Sequence, residues 1–305
     1  MLVGCNQPSG NDVAQDNQQT TNNPSVGTDK PEGTQKQLEA LGASVRVNDA
    51  GGMIVVRMGD GKGTDEAAKL LTGLQSLKDL QLSGEAVTDT AIESIKGLGN
   101  LKVLKLDKTS VSDAGLANLA AMESLEQVYL SGTKITDAGL AHLGGLPRLK
   151  RLRISDTQVT GEGMVHLKSA SKLTNLDVSK TDFGDTGLSH LREVATLTDI
   201  NLYTTPVTDE GLQNITSMTQ LKWLNLDNTK ITDAGLPNIT TLINLEFLHL
   251  GRTPVTDDGI NNLLDLKNLR RLEVTNTQVS EETAQALRES LPDCEVLSGF
   301  TAKKS

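Results

Sequence analysis

Three of the four histidines, His142, His166 and His190, stand 24 residues apart. In a repeating fold that spacing stacks their side chains into a column, the one place where imidazoles could share a metal ion. The other repeats carry Ser94, Asn118, Asn214, Asn238, Asn262 and Ala286 there, and no carboxylate is spaced to orient the rings as metal-bound histidines require. A polar column on a helical face is the better reading, and a metal-dependent enzyme using it ranks last. A recurring Asp could bind calcium, but helix starts account for it. The segment GDGKGTDE (59–66) lacks the acidic spacing and closing Glu of a calcium loop. No Ser-His-Asp order, H-E-x-x-H, phosphate loop or dinucleotide fingerprint is present. The expectation is a non-catalytic protein with no metal and no cofactor.

The positions of these residues are set by a repeat. Leu77, Leu101, Leu125, Leu149, Leu173, Leu197, Leu221, Leu245 and Leu269 recur every 24 residues, nine units without an insertion. Counting each unit from its leucine, positions 4 and 6 are apolar, a period of two that marks a short strand with one buried face. Position 11 is Val or Ile except for Phe183, and positions 16, 19 and 22 continue the apolar pattern at helical spacing. Between them, position 12 is Thr or Ser in eight units, with Gly184 the exception, and position 13 is Asp in seven. A hydroxyl caps free backbone N–H groups at a helix start, and a neighbouring carboxylate suits its positive end. Each unit is thus a strand, a turn and a helix, and stacking such units gives a parallel sheet lined by helices.

The pattern L-x-x-L-x-L-x-x-T-x-V-T-D-x-G-L-x-x-L resembles the leucine-rich repeat, with Thr where that family has Asn or Cys. The segments ITDAGLAHL (135–143) and ITDAGLPNI (231–239) resemble its cysteine-containing subfamily, without the cysteines. The resemblance implies an α/β solenoid: a right-handed horseshoe or arc of 24-residue repeats, with the parallel sheet on its concave face. It also implies protein–protein recognition. Thr at position 9, from Thr109 to Thr277, is expected to bond backbone in the turn, the task of Asn in the family.

The ends divide accordingly. Residues 36–76 form an amino-terminal cap with a degenerate repeat, in which Met53, Val56 and Met58 take positions 1, 4 and 6. A short helix is expected over 35–42, ended by Gly42, and a hairpin over 44–58 turning at NDAGG. Residues 77–292 are the nine repeats, and 293–305 the carboxy-terminal cap and tail, with a closing strand in LPDCEVL (291–297). Residues 6–35 are too polar to bury a core and read as a disordered tether. Ahead of it, Leu2-Val3-Gly4-Cys5 resembles a bacterial lipobox, so residues 1–5 read as the remnant of a lipoprotein signal. Only Leu2 and Val3 stand where a signal carries an apolar stretch of 7–15 residues, which places the true start upstream or makes the match accidental. The resemblance implies export and a lipid on Cys5, with Asn6 rather than Asp favouring the outer membrane. An accidental match leaves a cytoplasmic protein.

The strand surface is where recognition is expected. Positions 3, 5 and 7 face outward, flanked by 2 and 8. Of six aromatics in the chain, Tyr129, Tyr203, Trp223 and Phe247 fall there. Trp223 and Phe247 share position 3 of adjacent units, with Asn225 and His249 beside them, and exposed aromatics are enriched at binding hot spots. The whole chain carries 29 Lys plus Arg against 39 Asp plus Glu, a net −10, which argues against nucleic acid. Positions 2, 3, 5, 7 and 8 carry twelve basic and nine acidic residues, 12 − 9 = +3. Lys102, Lys105, Lys108, Lys150, Arg151 and Arg153 cluster in the first half. The expected site is Tyr129, Arg151, Arg153, Tyr203, Trp223, Asn225, Phe247 and His249 on a monomer. Its expected partner is a protein, with a polysaccharide as the alternative, and the membrane is met only through Cys5. An intracellular adaptor of the F-box type ranks below, because it needs about 40 helical residues where the composition is disordered.

Overall fold

A computed structural model describes residues 31–299. Cys5, the polar segment through residue 30 and residues 300–305 lie outside the described residues. Alternation of apolar and polar residues yields twelve short strands in one sheet, in chain order. They are β1 (Ser44–Val47), β2 (Met53–Met58), β3 (Asp79–Leu82), β4 (Val103–Lys105), β5 (Gln127–Tyr129), β6 (Arg151–Arg153), β7 (Asn175–Asp177), β8 (Asp199–Asn201), β9 (Trp223–Asn225), β10 (Phe247–His249), β11 (Arg271–Glu273) and β12 (Glu295–Leu297). β1 pairs antiparallel with β2, and from β2 to β12 every pairing is parallel. The register matches equal repeat positions: Leu152 lies opposite Leu176, and Trp223 opposite Phe247. Short helical segments, α-helical or 3-10, run behind the sheet. The architecture is an α/β leucine-rich-repeat solenoid.

The core is a continuous stack of leucine, isoleucine and valine from positions 1, 4, 6, 11, 16 and 19. Burying each such side chain contributes about 1.5–3 kcal/mol, and one packed layer per repeat lets neighbours supply the surface a single unit lacks. Strands stop after about three residues because position 8 has a positive φ in every unit: φ is +54° to +57° at Asp60, Lys108, Asp156, Lys180, Thr204, Asn228, Arg252 and Asn276, +68° at Gly132 and +127° at Gly84. One residue on, the position 9 hydroxyl donates to the position 6 carbonyl at 2.6–2.8 Å in eight units, from Thr109 to Thr277.

The helix starts hold the repeats together. Each Thr or Ser at position 12 caps its own helix, as Thr136 accepts the N–H of Ala138. The Asp at position 13 does more than complement a helix end: it reaches into the next repeat. Asp113 Oδ1 accepts the Thr136 N–H at 2.8 Å and Oδ2 accepts its hydroxyl at 2.6 Å. The same two-pronged bridge joins Asp65 to Thr88, Asp89 to Ser112, Asp137 to Thr160, Asp185 to Thr208, Asp209 to Thr232 and Asp233 to Thr256. Position 15 is glycine in seven of the nine units, and in six of them, as at Gly139 against Asp113, a Cβ would collide with the carboxylate of the preceding repeat.

One repeat departs from this plan. Gly161 replaces Asp and Gly184 replaces Thr at the junction of the fourth and fifth units. The buried ring of Phe183 fills the vacated space and packs against Gly187. At the amino end α1 spans Pro31–Ala40, so it begins four residues before the expected 35 and the last part of the polar stretch is helical. Gly42 at φ +90° ends it, and Leu38 is buried against the first layer. β1 and β2 form the hairpin, with the Asn48 side chain accepting N–H groups from Ala50 and Gly52 across the turn. At the other end β12 closes the sheet. Arg288 of the last helix ties it down through the Val296 carbonyl and Ser298 hydroxyl.

Candidate binding face on the sheet

Strand alternation sends positions 4 and 6 into the core and positions 3 and 5 out. The Trp223 and Phe247 rings are held by the paired strands β9 and β10 and stack with centroids 4.8 Å apart and planes 6° from parallel. His249 meets the Phe247 ring edge-on at 6.4 Å. Its Nε2 lies 3.4 Å from Glu273 and 3.9 Å from Asp227. Asn225 is turned inward to its own strand, its Oδ1 accepting the Asp227 N–H at 2.9 Å. The aromatic pair is thus a braced, half-exposed platform on a rigid sheet.

Beside it, a trough of about 270 Å³ lies between Tyr129 and Trp223. Its sides come from β6, β7 and β8, including Arg151, Arg153, Asn175, Asp177 and Asp199. Arg153 is drawn to Asp177, Nε to Oδ2 3.2 Å. Arg151 is exposed and pairs with no carboxylate among the described residues. Asp199 accepts the neighbouring Thr198 hydroxyl. At the far end Tyr129 receives Lys105 over its ring at 5.2 Å and donates its hydroxyl to Gln127. The basic cluster of the first half is partly neutralised in place, because Lys102 and Lys150 both grip Glu126 at 3.1 and 2.8 Å. Those two ammonium groups hold the Glu126 carboxyl below its ordinary pKa, Lys150 the more strongly.

Tyr203 does not join the trough. Lying two residues beyond the end of β8, it sits between Lys180 and Arg252, 5.9 and 5.1 Å from its ring. Arg252 reaches back to the buried Asp227, Nε to Oδ1 2.8 Å with its Nη2 on the second oxygen. Asp227 holds the guanidinium above its ordinary pKa. Neither Asp227 nor Arg252 stands out in the sequence. Their cue was position alone, one turn further along the same two units as Trp223 and Phe247. Asn175, Asp177 and Asp199 were equally unmarked, being ordinary polar residues on strand faces.

The sheet therefore brings together Tyr129, Arg151, Arg153 and Trp223 around the trough, with Phe247 and His249 behind Trp223. It sets Tyr203 apart and spends Asn225 on backbone. His142, His166 and His190 lie on the helical side. His190 Nε2 is 3.8 Å from a Glu162 carboxylate, and no group of three or more metal-ligating side chains converges among the described residues. Among these residues, too, no helix is long and apolar enough to cross a membrane.

A family model described as Leucine Rich repeat matches residues 169–191, which include Phe183 and Gly187. No curated protein matches the chain in sequence. Among solved structures, an internalin from Listeria monocytogenes is similar at a TM-score of 0.59 and 17% identity, over 88% of each chain. A second internalin from the same organism, an internalin C2, is similar at 0.52 and 20% identity, over 70% of this chain and 84% of that one. These likenesses are of fold.

Proposed function

We propose that this chain, folded as a leucine-rich-repeat solenoid, is a non-catalytic scaffold that binds another protein through the outer face of its sheet. The observation that carries the reading is the stacked Trp223–Phe247 pair beside the trough. Elsewhere the conspicuous polar groups are engaged in holding the fold: the Asp column bridges repeats and the Thr column closes turns. The aromatic platform has no such duty. Exposed aromatics flanked by arginine make the densest contribution to protein interfaces, and a rigid sheet presents them with little ordering cost.

Cys5 in LVGC supports a second element of the proposal, a lipid anchor on the cell envelope, with the polar segment as a tether to the solenoid. Detergent-phase partitioning with mass analysis of the amino-terminal peptide tests it. A peptide starting at Cys5 with a diacylglycerol-sized addition is expected, and an unmodified peptide running through Met1 in the aqueous phase overturns the anchor. The scaffold itself is tested by selecting protein ligands from a display library and assaying them on Trp223→Ala/Phe247→Ala. Affinity is expected to fall more than 10-fold with the thermal melt unchanged, and undiminished binding overturns the reading.

A further inference from the structure

Position 3 of successive strands makes a row across the trough: Arg151, Asn175, Asp199 and Trp223, joined by register through β6 to β9. Neighbouring strands are about 4.8 Å apart, so three steps separate Arg151 from Trp223 by roughly 14 Å. The two ends differ in chemistry. Arg151 offers an exposed guanidinium that pairs with no carboxylate among the described residues, at the end of the trough where Lys105 rests on Tyr129 two strands away. Trp223 has one ring face covered by Phe247 and forms the opposite end of the trough.

We infer that the trough takes an extended peptide segment of a protein partner, lying across the strands, with a carboxylate on Arg151 and an aromatic or large aliphatic side chain on Trp223 four residues away. This rests on the reading of the sheet as the binding face and adds the chemistry of the partner. The spacing follows from geometry. An extended chain advances about 3.4 Å per residue, so residues i and i+4 are about 13.6 Å apart and point to the same side. That equals the Arg151–Trp223 span, whereas i+3 and i+5 put one of the two side chains away from the sheet. Residue i+2 falls between Asn175 and Asp199, which suit a hydrogen-bonding side chain. A guanidinium grips a carboxylate through paired donors, and burial of the apolar residue against Trp223 supplies the hydrophobic share.

Trp223 is the one tryptophan of the chain, so its fluorescence reports the site directly. End-blocked peptides carrying Glu and Phe at i,i+3, i,i+4 and i,i+5 on a Ser/Gly background are titrated against the full-length protein. The i,i+4 peptide is expected to bind at least 10-fold tighter than the other two and than its Glu→Gln version. Arg151→Glu should abolish that preference and transfer it to a Lys-for-Glu peptide. Equal binding of all spacings, indifference to Arg151→Glu, or quenching by oligosaccharides but by no peptide overturns the inference. If the peptides fail while Trp223→Ala/Phe247→Ala still abolishes binding of display-selected proteins, the inference falls alone. If those proteins ignore the aromatic pair, the scaffold reading falls with it.

Discussion

The Asp113 carboxylate accepts both the backbone N–H and the hydroxyl of Thr136, 23 residues further along the chain, at 2.8 and 2.6 Å. The bridge couples two repeats where their cores meet, and the recurring T-D-x-G-L string is its sequence trace. The Thr caps its own helix and receives the Asp of the preceding repeat. The Gly leaves room for that carboxylate. Hydrogen bonds to a charged acceptor contribute about 1.5–3 kcal/mol, so Asp113→Ala should lower stability by about 2 kcal/mol in denaturant unfolding. Gly139→Ala should do comparable damage from the other side of the contact.

The missing bridge can be rebuilt. Gly161→Asp alone should destabilise, because a side chain there meets the Phe183 carbonyl and Gly187 backbone. The triple change Gly161→Asp, Phe183→Val and Gly184→Thr restores the pattern of the other units and should recover that loss with a net gain of about 1 kcal/mol. Such neighbours do not add independently. Melting curves of the single and triple variants check the sign of each.

Arg252 and Asp227 form an ion pair with the acid buried and the base half exposed. Removing one partner of such a pair leaves a charge without compensation. Arg252→Ala should cost about 2 kcal/mol in equilibrium unfolding and free the Tyr203 ring, and Arg252→Lys should not restore the two-pronged contact.

Acid should loosen the carboxy-terminal cap. Asp257 is held below its ordinary pKa chiefly by the Ser280 N–H, and Glu281 by Arg288 and then Ser298. A depressed folded pKa means stability that is present above the ordinary carboxylate range near pH 4 and lost as pH falls through the lower folded value. Hydrogen exchange at pH 7 and pH 3, corrected for intrinsic rate, should show protection over residues 281–297 reduced at the lower pH.

Cys294 should be inert while folded. Burial pushes its thiol up to about 11, and the thiolate is the reactive form. Iodoacetamide at neutral pH should leave the peptide containing Cys294 unmodified until denaturant is added, as followed by mass spectrometry.

Much of the fold was legible because it is written in local periodicity. Positions 4 and 6 announce the strands, Thr at position 9 announces its turn bond, and shared numbering places Trp223 beside Phe247. What was not legible depends on contacts between units. The Asp column reads as helix-start chemistry until the next repeat is laid against it. The left-handed position 8 is hidden because Lys108, Thr204 and Arg252 are not residues that favour that conformation. The trough arises where the shorter side chains of β7 and β8 lie between the arginines of β6 and Trp223, and no single residue type reveals it. Tyr203 shared a face with the other aromatics by position, yet Arg252 and Lys180 draw it into a separate cluster.

The most direct test of the account compares the sheet face with the turns at its edge. Display-selected protein ligands are measured by surface binding against wild type, Trp223→Ala/Phe247→Ala and Ile243→Ser, the last removing an apolar side chain that is 61% exposed in the turn ahead of β10. The account predicts a loss of at least 10-fold for the sheet variant and none for Ile243→Ser. Ligands that bind the sheet variant as tightly as wild type and lose affinity on Ile243→Ser would contradict it.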